Sequence, residues 1–321
     1  MSSNQPIIHI LRPGLFTTVQ DAGRPGFRRF GVSASGALDR WALTVGNRLL
    51  GNPDEAAALE ITLQGPELLF EERTTIAITG ADLTPSHQGL AVPMWTVLDM
   101  PAGARLEFGA RRAGARAYLA VAGGIEGPRV LGSRSTHVRS GLGGVHGRAL
   151  KKWDQVPVGR PTGATAKKAG RTLPPMQRPH YVVPPILRIV PGPQIEHFVE
   201  RSLEALVEEP YRLTPESDRM GYRLAGPAIR HRITADIISD AVTFGAIQVP
   251  SDGQPILLMA DCQTTGGYAK PAVVISVDLP SAAQLLPGDS IRFRFVSPDE
   301  ASHLLRTMRA ELDRILPPCP A

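Results

Sequence analysis

A mainly β protein with a few helices, arranged as two units, is what this chain of 321 residues predicts. Three observations carry that reading. Glycine (32) and proline (30) are abundant while aromatic residues make up only 5%, a balance that suits many short strands and turns. Apolar residues, at 42%, are enough to build real cores. The length exceeds one ordinary small domain, and two fit it.

The elements follow in order. Residues 7–11 alternate around His9 as a strand, and 17–20 form a second after Gly14. Asp21-Ala-Gly-Arg-Pro-Gly26 is a turn, in which Gly and Pro set the backbone and Asp21 bonds nearby N–H groups. Leu38, Trp41, Ala42, Val45 and Leu49 recur at helical spacing, and the helix stops at Gly51-Asn52-Pro53. Strands return over 58–63, 67–70 and 75–79, the last leading to Gly80-Ala81-Asp82. Residues 95–100 and 105–108 flank a Pro101-Ala102-Gly103 turn, and 116–122 is a strong strand ending in Gly123-Gly124. The span from Gly132 to Gly147 is too glycine-rich for regular structure. Between Arg160 and Pro185, Pro, Lys, Arg, Thr and Gly dominate without a period, which reads as a linker or surface excursion.

A second unit starts near Ile186. Its first helix is expected from about Gln194 to Glu209, with Ile195, Phe198, Val199, Leu203, Leu206 and Val207 facing inward. The last helix begins at a capping box, Ser297-Pro298-Asp299-Glu300, and carries Leu304, Leu305, Met308, Leu312 and Ile315 as its apolar stripe. A faint internal echo links the halves: Gly65 to Asp82 has the layout of Gly245 to Asp261, and Pro101 to Phe108 parallels Pro287 to Phe293. The offset is about 180 residues, a domain-sized period that implies two related β-rich units.

Composition excludes several classes. Met1 to Pro6 is polar and lacks the apolar region of a signal peptide, and no apolar run reaches a membrane span, so a cytoplasmic chain without a membrane partner is expected. The two cysteines, Cys262 and Cys319, make no disulfide framework. The net charge of +5 gathers at Arg105, Arg111, Arg112 and Arg116 and at Lys151, Lys152, Lys167, Lys168 and Arg171. Neither group is interleaved with stacking aromatics, so both read as solvated faces and nucleic acid is not an expected partner. The run Gly141-Leu-Gly-Gly-Val-His-Gly147 misses the dinucleotide spacing, because His146 stands where the third Gly belongs. No Walker loop, no metal-ligand spacing and no Gly-x-Ser-x-Gly elbow is present. Cys262 has no adjacent His or helix start to activate it and reads as a small buried thiol.

The chemistry concentrates in Gln254 to Lys270. An apolar strand over 256–260 runs into Asp261, Gln263, Thr264, Thr265, Tyr268 and Lys270, which offer a carboxylate, an amide, two hydroxyls, a phenol and an ammonium. Gly266 and Gly267 are expected to turn the backbone tightly and present N–H groups to a bound oxygen. Three further polar clusters accompany it: Asp21, Arg24 and Arg28 with Ser33, Ser35 and Asp39; Gly132-Ser133-Arg134-Ser135-Thr136; and Ser217-Asp218-Arg219-Met220-Gly221-Tyr222-Arg223. Arginine grips carboxylate or phosphate through two parallel bonds, although Asp beside Arg is equally a common structural pair. Asp261, Thr264, Thr265 and Lys270 are the catalytic candidates. Arg219, Gln263, Gly266, Gly267, Tyr268, Arg24, Asp39, Ser133 and Arg134 are the substrate-binding candidates, and no metal ligands are expected.

With those residues in view, the chain resembles the biotin-dependent carboxyltransferase-like family, whose members are labelled as the C component of 5-oxoprolinase or as the second component of allophanate hydrolase. The carriers are Gly14-Leu-Phe-Thr-Thr-Val-Gln-Asp-Ala-Gly-Arg-Pro-Gly26, Gly46-Asn-Arg-Leu-Leu-Gly-Asn52, Leu59-Glu-Ile-Thr-Leu-Gln-Gly-Pro66, Gly132-Ser-Arg-Ser-Thr136, Ser217-Asp-Arg-Met-Gly-Tyr-Arg-Leu224 and Asp261 through Tyr268. Ala269 stands where the family usually has Pro, and Trp153 replaces a common Gly before Asp154. The resemblance implies two cyclophilin-like β-barrel domains, over 1–180 and 181–321. It implies a heteromeric complex with the 5-oxoprolinase subunits B and A and an ATP-dependent opening of 5-oxoproline to L-glutamate. ATP would then bind with a partner subunit. In that reading Arg219 grips a substrate carboxylate, and Thr264, Thr265, Gly266 and Gly267 stabilise an oxyanion. Asp261 orients or deprotonates water, and Lys270 balances charge. Two alternatives stand beside it: a carboxyltransferase component of a urea carboxylase-like enzyme, with biotin arriving on another protein, and a regulatory module antagonising a kinase inhibitor homologous to the B component.

Overall fold

The structure is a computed structural model that describes residues 5–161 and 169–319. Residues 162–168 of the 160–185 excursion, Lys167 and Lys168 among them, lie outside the described residues, as does most of the polar N-terminal segment. The chain forms two compact units: one of residues 1–24, 35–180 and 313–321, the other of residues 25–34 and 181–312.

The first unit is built from two antiparallel sheets. One runs, in spatial order, Gln155–Pro157, Ile7–Arg12, Glu67–Phe70, Arg105–Phe108, Pro85–His87 and Leu90–Ala91. The other runs Phe16–Gln20, Ala58–Thr62, Ala113–Val121, Thr74–Asp82 and Val97–Met100. Period-two alternation aims one face of each sheet at a shared core, where Ile8, Ile10, Leu68, Phe70 and Leu106 meet Leu59, Ile61, Ile76, Ile78 and Leu119. The opposite face of the second sheet is covered as well. The helix Arg40–Leu50 lies there, with Thr79 Oγ1 donating to Ala42 O at 2.7 Å. A sheet buried on both faces explains why Ala115 to Val121 is uniformly buried instead of alternating. The helix starts where Asp39 accepts from Ala42 N at 2.8 Å and stops at Gly51, whose φ of 76° only glycine adopts cheaply.

The second unit contains a closed barrel of seven strands. Their order is Ile186–Pro191, Ala272–Val274, Ala246–Gln248, Ile256–Leu258, Gly221–Ala225, Tyr211–Leu213 and Ser290–Phe295, the last closing in parallel onto the first. The sequence echo is therefore not matched by pairing. Glu67–Phe70 and Thr74–Asp82 lie in different sheets, whereas Ala246–Gln248 and Ile256–Leu258 are direct neighbours. The expected helix near Gln194 divides into a 3-10 turn, Ile195–His197, and a shorter helix, Glu200–Glu208. Val199 between them is extended and exposed, its N–H drawn to Arg230 O at 2.9 Å. The terminal helix, Pro298–Ile315, opens on the capping serine, with Glu300 N donating to Ser297 Oγ at 3.1 Å. Among the described residues no helix is long and apolar enough to cross a membrane.

Candidate functional site

The segment after Ile256–Leu258 leaves the barrel. Leu257 and Leu258 are buried in its wall, and the backbone still pairs beyond the strand, with Met259 N donating to Met220 O and Asp261 N to Arg219 O, both at 2.9 Å. A turn follows, closed by Cys262 N on Met259 O at 3.1 Å. The chain then enters the strand Thr265–Tyr268, which pairs antiparallel with Asp236–Ala241 in a separate two-stranded ribbon.

Charge at this site is paired, and all of it but the exposed Asp240 is buried. Arg219 Nε donates to Asp261 Oδ2 at 2.8 Å and Nη2 to Oδ1 at 3.3 Å, with both side chains about nine-tenths buried (10% and 8% exposed). Two parallel bonds in a low-dielectric setting make this a strong pair. Lys270, 2% exposed, reaches Asp240 Oδ2 at 3.0 Å, and Gln194 Nε2 donates to the same oxygen at 3.3 Å. The Lys270 bond, with the Ala241 N–H, holds the Asp240 carboxyl below the usual carboxylate range.

The neutral polar groups lie further out. Gln263, Thr265 and Tyr268 are exposed, and Thr264, Gly266 and Gly267 half-buried. Gly266 and Gly267 do not make the tight turn expected of them, for both are extended strand residues without positive φ. Gly266 is small for another reason: a Cβ there would lie 2.5 Å from Gln248 Nε2. Gln248, buried in the barrel strand Ala246–Gln248, donates to Tyr268 O at 3.3 Å and accepts from Gln263 Nε2 at 3.3 Å. Nothing comes within 3.6 Å of a Cβ at Gly267, so space makes no such demand there. Cys262 is fully buried, and burial pushes its thiol up although Arg28 pulls the other way.

The remaining candidates lie in the first unit, around Asp21. Its carboxylate accepts from Gly23 N at 2.8 Å, Ser133 Oγ at 2.6 Å, and the Arg134 N–H and Ser135 hydroxyl. The Gly132-Ser-Arg-Ser-Thr136 segment thus wraps one buried carboxylate. Arg24 is fully buried, donating to Ser135 O and to Val130 O. Arg134 pairs with Glu126 and donates from Nε to Gly127 O at 3.2 Å. Asp39, also fully buried, caps the helix Arg40–Leu50, and its own N–H donates to Tyr118 OH at 2.8 Å. Tyr118 in turn donates to Glu60 Oε2 at 2.7 Å, and burial, with the Glu60 and Asp39 charges, pushes the phenol well above its ordinary range. Within the first cluster of the sequence, Asp21, Arg24, Ser35 and Asp39 belong to this unit, whereas Arg28 and Ser33 belong to the other.

The glycine run 141–147 also has a packing role. A Cβ at Gly143 would lie 2.1 Å from Ser135 O, and one at Gly144 2.0 Å from Thr136 Oγ1. Its glycines let it close onto Ser135 O and the Thr136 side chain, and the Gly141, Leu142, Gly144 and Gly147 N–H groups donate to main-chain carbonyls. Among the described residues no group of three or more His, Cys, Asp or Glu could hold a metal ion. Sequence reasoning missed Gln248, Asp240, Gln194 and Glu126. Gln248 had a readable signal, a lone amide between Ile247 and Val249 in an apolar strand; the others are ordinary surface residues until the fold supplies their partners.

Residues 30–295 match the carboxyltransferase domain family, subdomain A and B. The chain is 41% identical over 296 residues to the C component of 5-oxoprolinase from Escherichia coli, covering 92% of this chain and 93% of that protein. It is 36% identical to the C component of 5-oxoprolinase from Haemophilus influenzae, with 96% and 97% covered. Among solved structures, the urea amidolyase of K. lactis superposes with a TM-score of 0.90 at 30% identity, over 98% of this chain and 20% of that one.

Proposed function

This chain belongs to the carboxyltransferase domain family, and from that premise we propose that it serves as the C component of a 5-oxoprolinase, opening 5-oxoproline to L-glutamate with partner subunits A and B. The observation that carries this reading is the end-to-end match with two proteins of that description, against a match to one fifth of the urea amidolyase. A lactam is a resonance-stabilised amide and a poor electrophile. ATP, bound with a partner subunit, supplies its activation; with no Walker loop in the sequence, this chain's part is positioning and charge.

The exposed polar strand marks the reacting face. Thr264, Thr265, Gln263 and Tyr268 contact the substrate, with Gly267 giving its oxygen close approach to the backbone and Gly266 seating the strand on Gln248. Asp261, Arg219 and Lys270 lie beneath as a buried, paired charge set that orients this face. Arg24, Asp39, Ser133 and Arg134 act by holding their own unit together around Asp21 and the Arg40–Leu50 helix, which accords with their burial and hydrogen bonds.

The test is reconstitution with subunits A and B, 5-oxoproline and ATP, reading glutamate. Thr265→Val is expected to lower turnover about 100-fold, the range for losing a transition-state donor. Its stability should shift by no more than about 0.5 kcal/mol, because the residue is exposed. Unchanged turnover would reject the assignment of this face. A second reading, a biotin-dependent carboxyltransferase component, is favoured by the K. lactis superposition. Carboxyl transfer from a biotin-bearing partner, with no glutamate formed, would select it.

A further inference from the structure

Residues 25–34 are the one stretch from the beginning of the chain that belongs to the second unit. They contain a 3-10 turn, Arg28–Phe30, with glycine at Gly26 (φ 88°) and Gly31 (φ 78°). Nothing lies within 4 Å of a Cβ at either glycine, so these two serve the backbone conformation and not close packing. This stretch aims two side chains at the segment that carries Asp261. Ser33 Oγ donates to Ala260 O at 3.4 Å, across 227 residues of sequence. Arg28 Nη2 donates to Gln263 O at 3.1 Å, across 235 residues, and also to Val242 O. The two acceptors Ala260 and Gln263 flank Asp261 and Cys262 in sequence. Val242 and Gln263 are the roots of the two ribbon strands, tied to each other by Val242 N on Thr264 O at 3.1 Å. A single nitrogen of the Arg28 guanidinium therefore bridges both strands where they leave the barrel.

We propose that residues 25–34 form a strap over the Asp261 turn, and that Arg28 and Ser33 are positioning residues setting the Gln263–Tyr268 face for reaction. This rests on the reading of that face as the reacting surface. The sequence singled out Arg28 as a possible anion grip, but its donors go to main-chain carbonyls of the second unit. A clasp of this kind governs geometry without touching substrate. Cys262, fully buried in the Asp261 turn, reports on it directly, while the half-exposed Cys319 provides an internal control.

The experiment uses the reconstituted complex for turnover and the native chain for thiol labelling with Ellman's reagent. Arg28→Ala is expected to lower kcat about tenfold or more with KM for 5-oxoproline within about threefold, since small misplacements of a reacting face cost one to two decades. The same substitution should speed labelling of Cys262 about tenfold by easing local opening, with Cys319 unchanged. Arg28→Lys should recover part of both effects, and Ser33→Ala should move both in the same direction by less. Should Arg28→Ala fail to fold, these two variants carry the test. Unchanged labelling overturns the strap, and faster labelling with unchanged kcat overturns the positioning role. A wild-type complex that makes no glutamate sinks the 5-oxoprolinase reading alone; the labelling comparison still decides whether the strap holds the turn.

Discussion

Asp21 in the first unit and Asp261 in the second are both buried carboxylates at the centre of polar sequence motifs, yet their surroundings differ in kind. Asp21 is held by neutral donors, hydroxyls and backbone N–H groups from Gly23 and the Ser133–Ser135 segment, and the two serines among them are buried too. Asp261 is held by a guanidinium, and the chain beyond it runs out to exposed Gln263, Thr265 and Tyr268. Polarity of a motif thus does not imply access. The first cluster closes on itself and reads as structure; the second joins a fixed charge pair to an open polar face.

The sharpest way to break the comparison is to remove one partner from each carboxylate. Arg219→Ala strands most of a buried charge and should cost about 3–5 kcal/mol, read as a lower unfolding midpoint in urea. Loss of activity in that variant would consequently say little about a grip on substrate. Asp21→Asn keeps the shape but replaces one acceptor oxygen with a donor facing other donors, at about 2–3 kcal/mol. If Asp21→Asn proved the more damaging, the guanidinium pair would not be the stronger anchor.

A smaller effect probes the packing beneath the open face. Gly266→Ala drives a Cβ onto the Gln248 amide and should cost about 1–3 kcal/mol. In the Gln248→Ala background the same change should cost much less, so a double-mutant cycle that comes out additive would disprove the contact.

The smallest effect is acid sensitivity, and it separates one peripheral pair in each unit. Asp154 is held below the usual range chiefly by the Arg148 hydrogen bonds, as Asp240 is by Lys270. A depressed folded-state pKa means the stability is fully present above the unfolded value, near pH 4, and is lost as pH falls through the lowered one. Asp154→Asn and Asp240→Asn should each flatten the fall of the urea midpoint below about pH 4. A slope identical to wild type in both would show that neither pair contributes.

Much of this was legible from residue order alone. Capping by Gly51 and Ser297, the strands Glu67–Phe70 and Arg105–Phe108, and the strand that leads into Asp261 are local matters of periodicity, caps and turn chemistry. Family membership was legible as well, because it resides in contiguous motifs. Other features were hidden because they depend on residues far apart in the chain. The role of Gly266 follows from Gln248 in another strand, and the purpose of Arg28 and Ser33 from a turn more than 200 residues away.

By itself, then, the order of side chains determined the main strands and the helix of the first unit, the capped terminal helix and where polar chemistry accumulates, since those depend on neighbours along the backbone. Only tertiary structure decided which charges are spent on one another and which groups still face outward. Ion pairing and burial depend on distance through space, and a chain that folds back across 235 residues to bring Arg28 onto Gln263 carries no local mark of it.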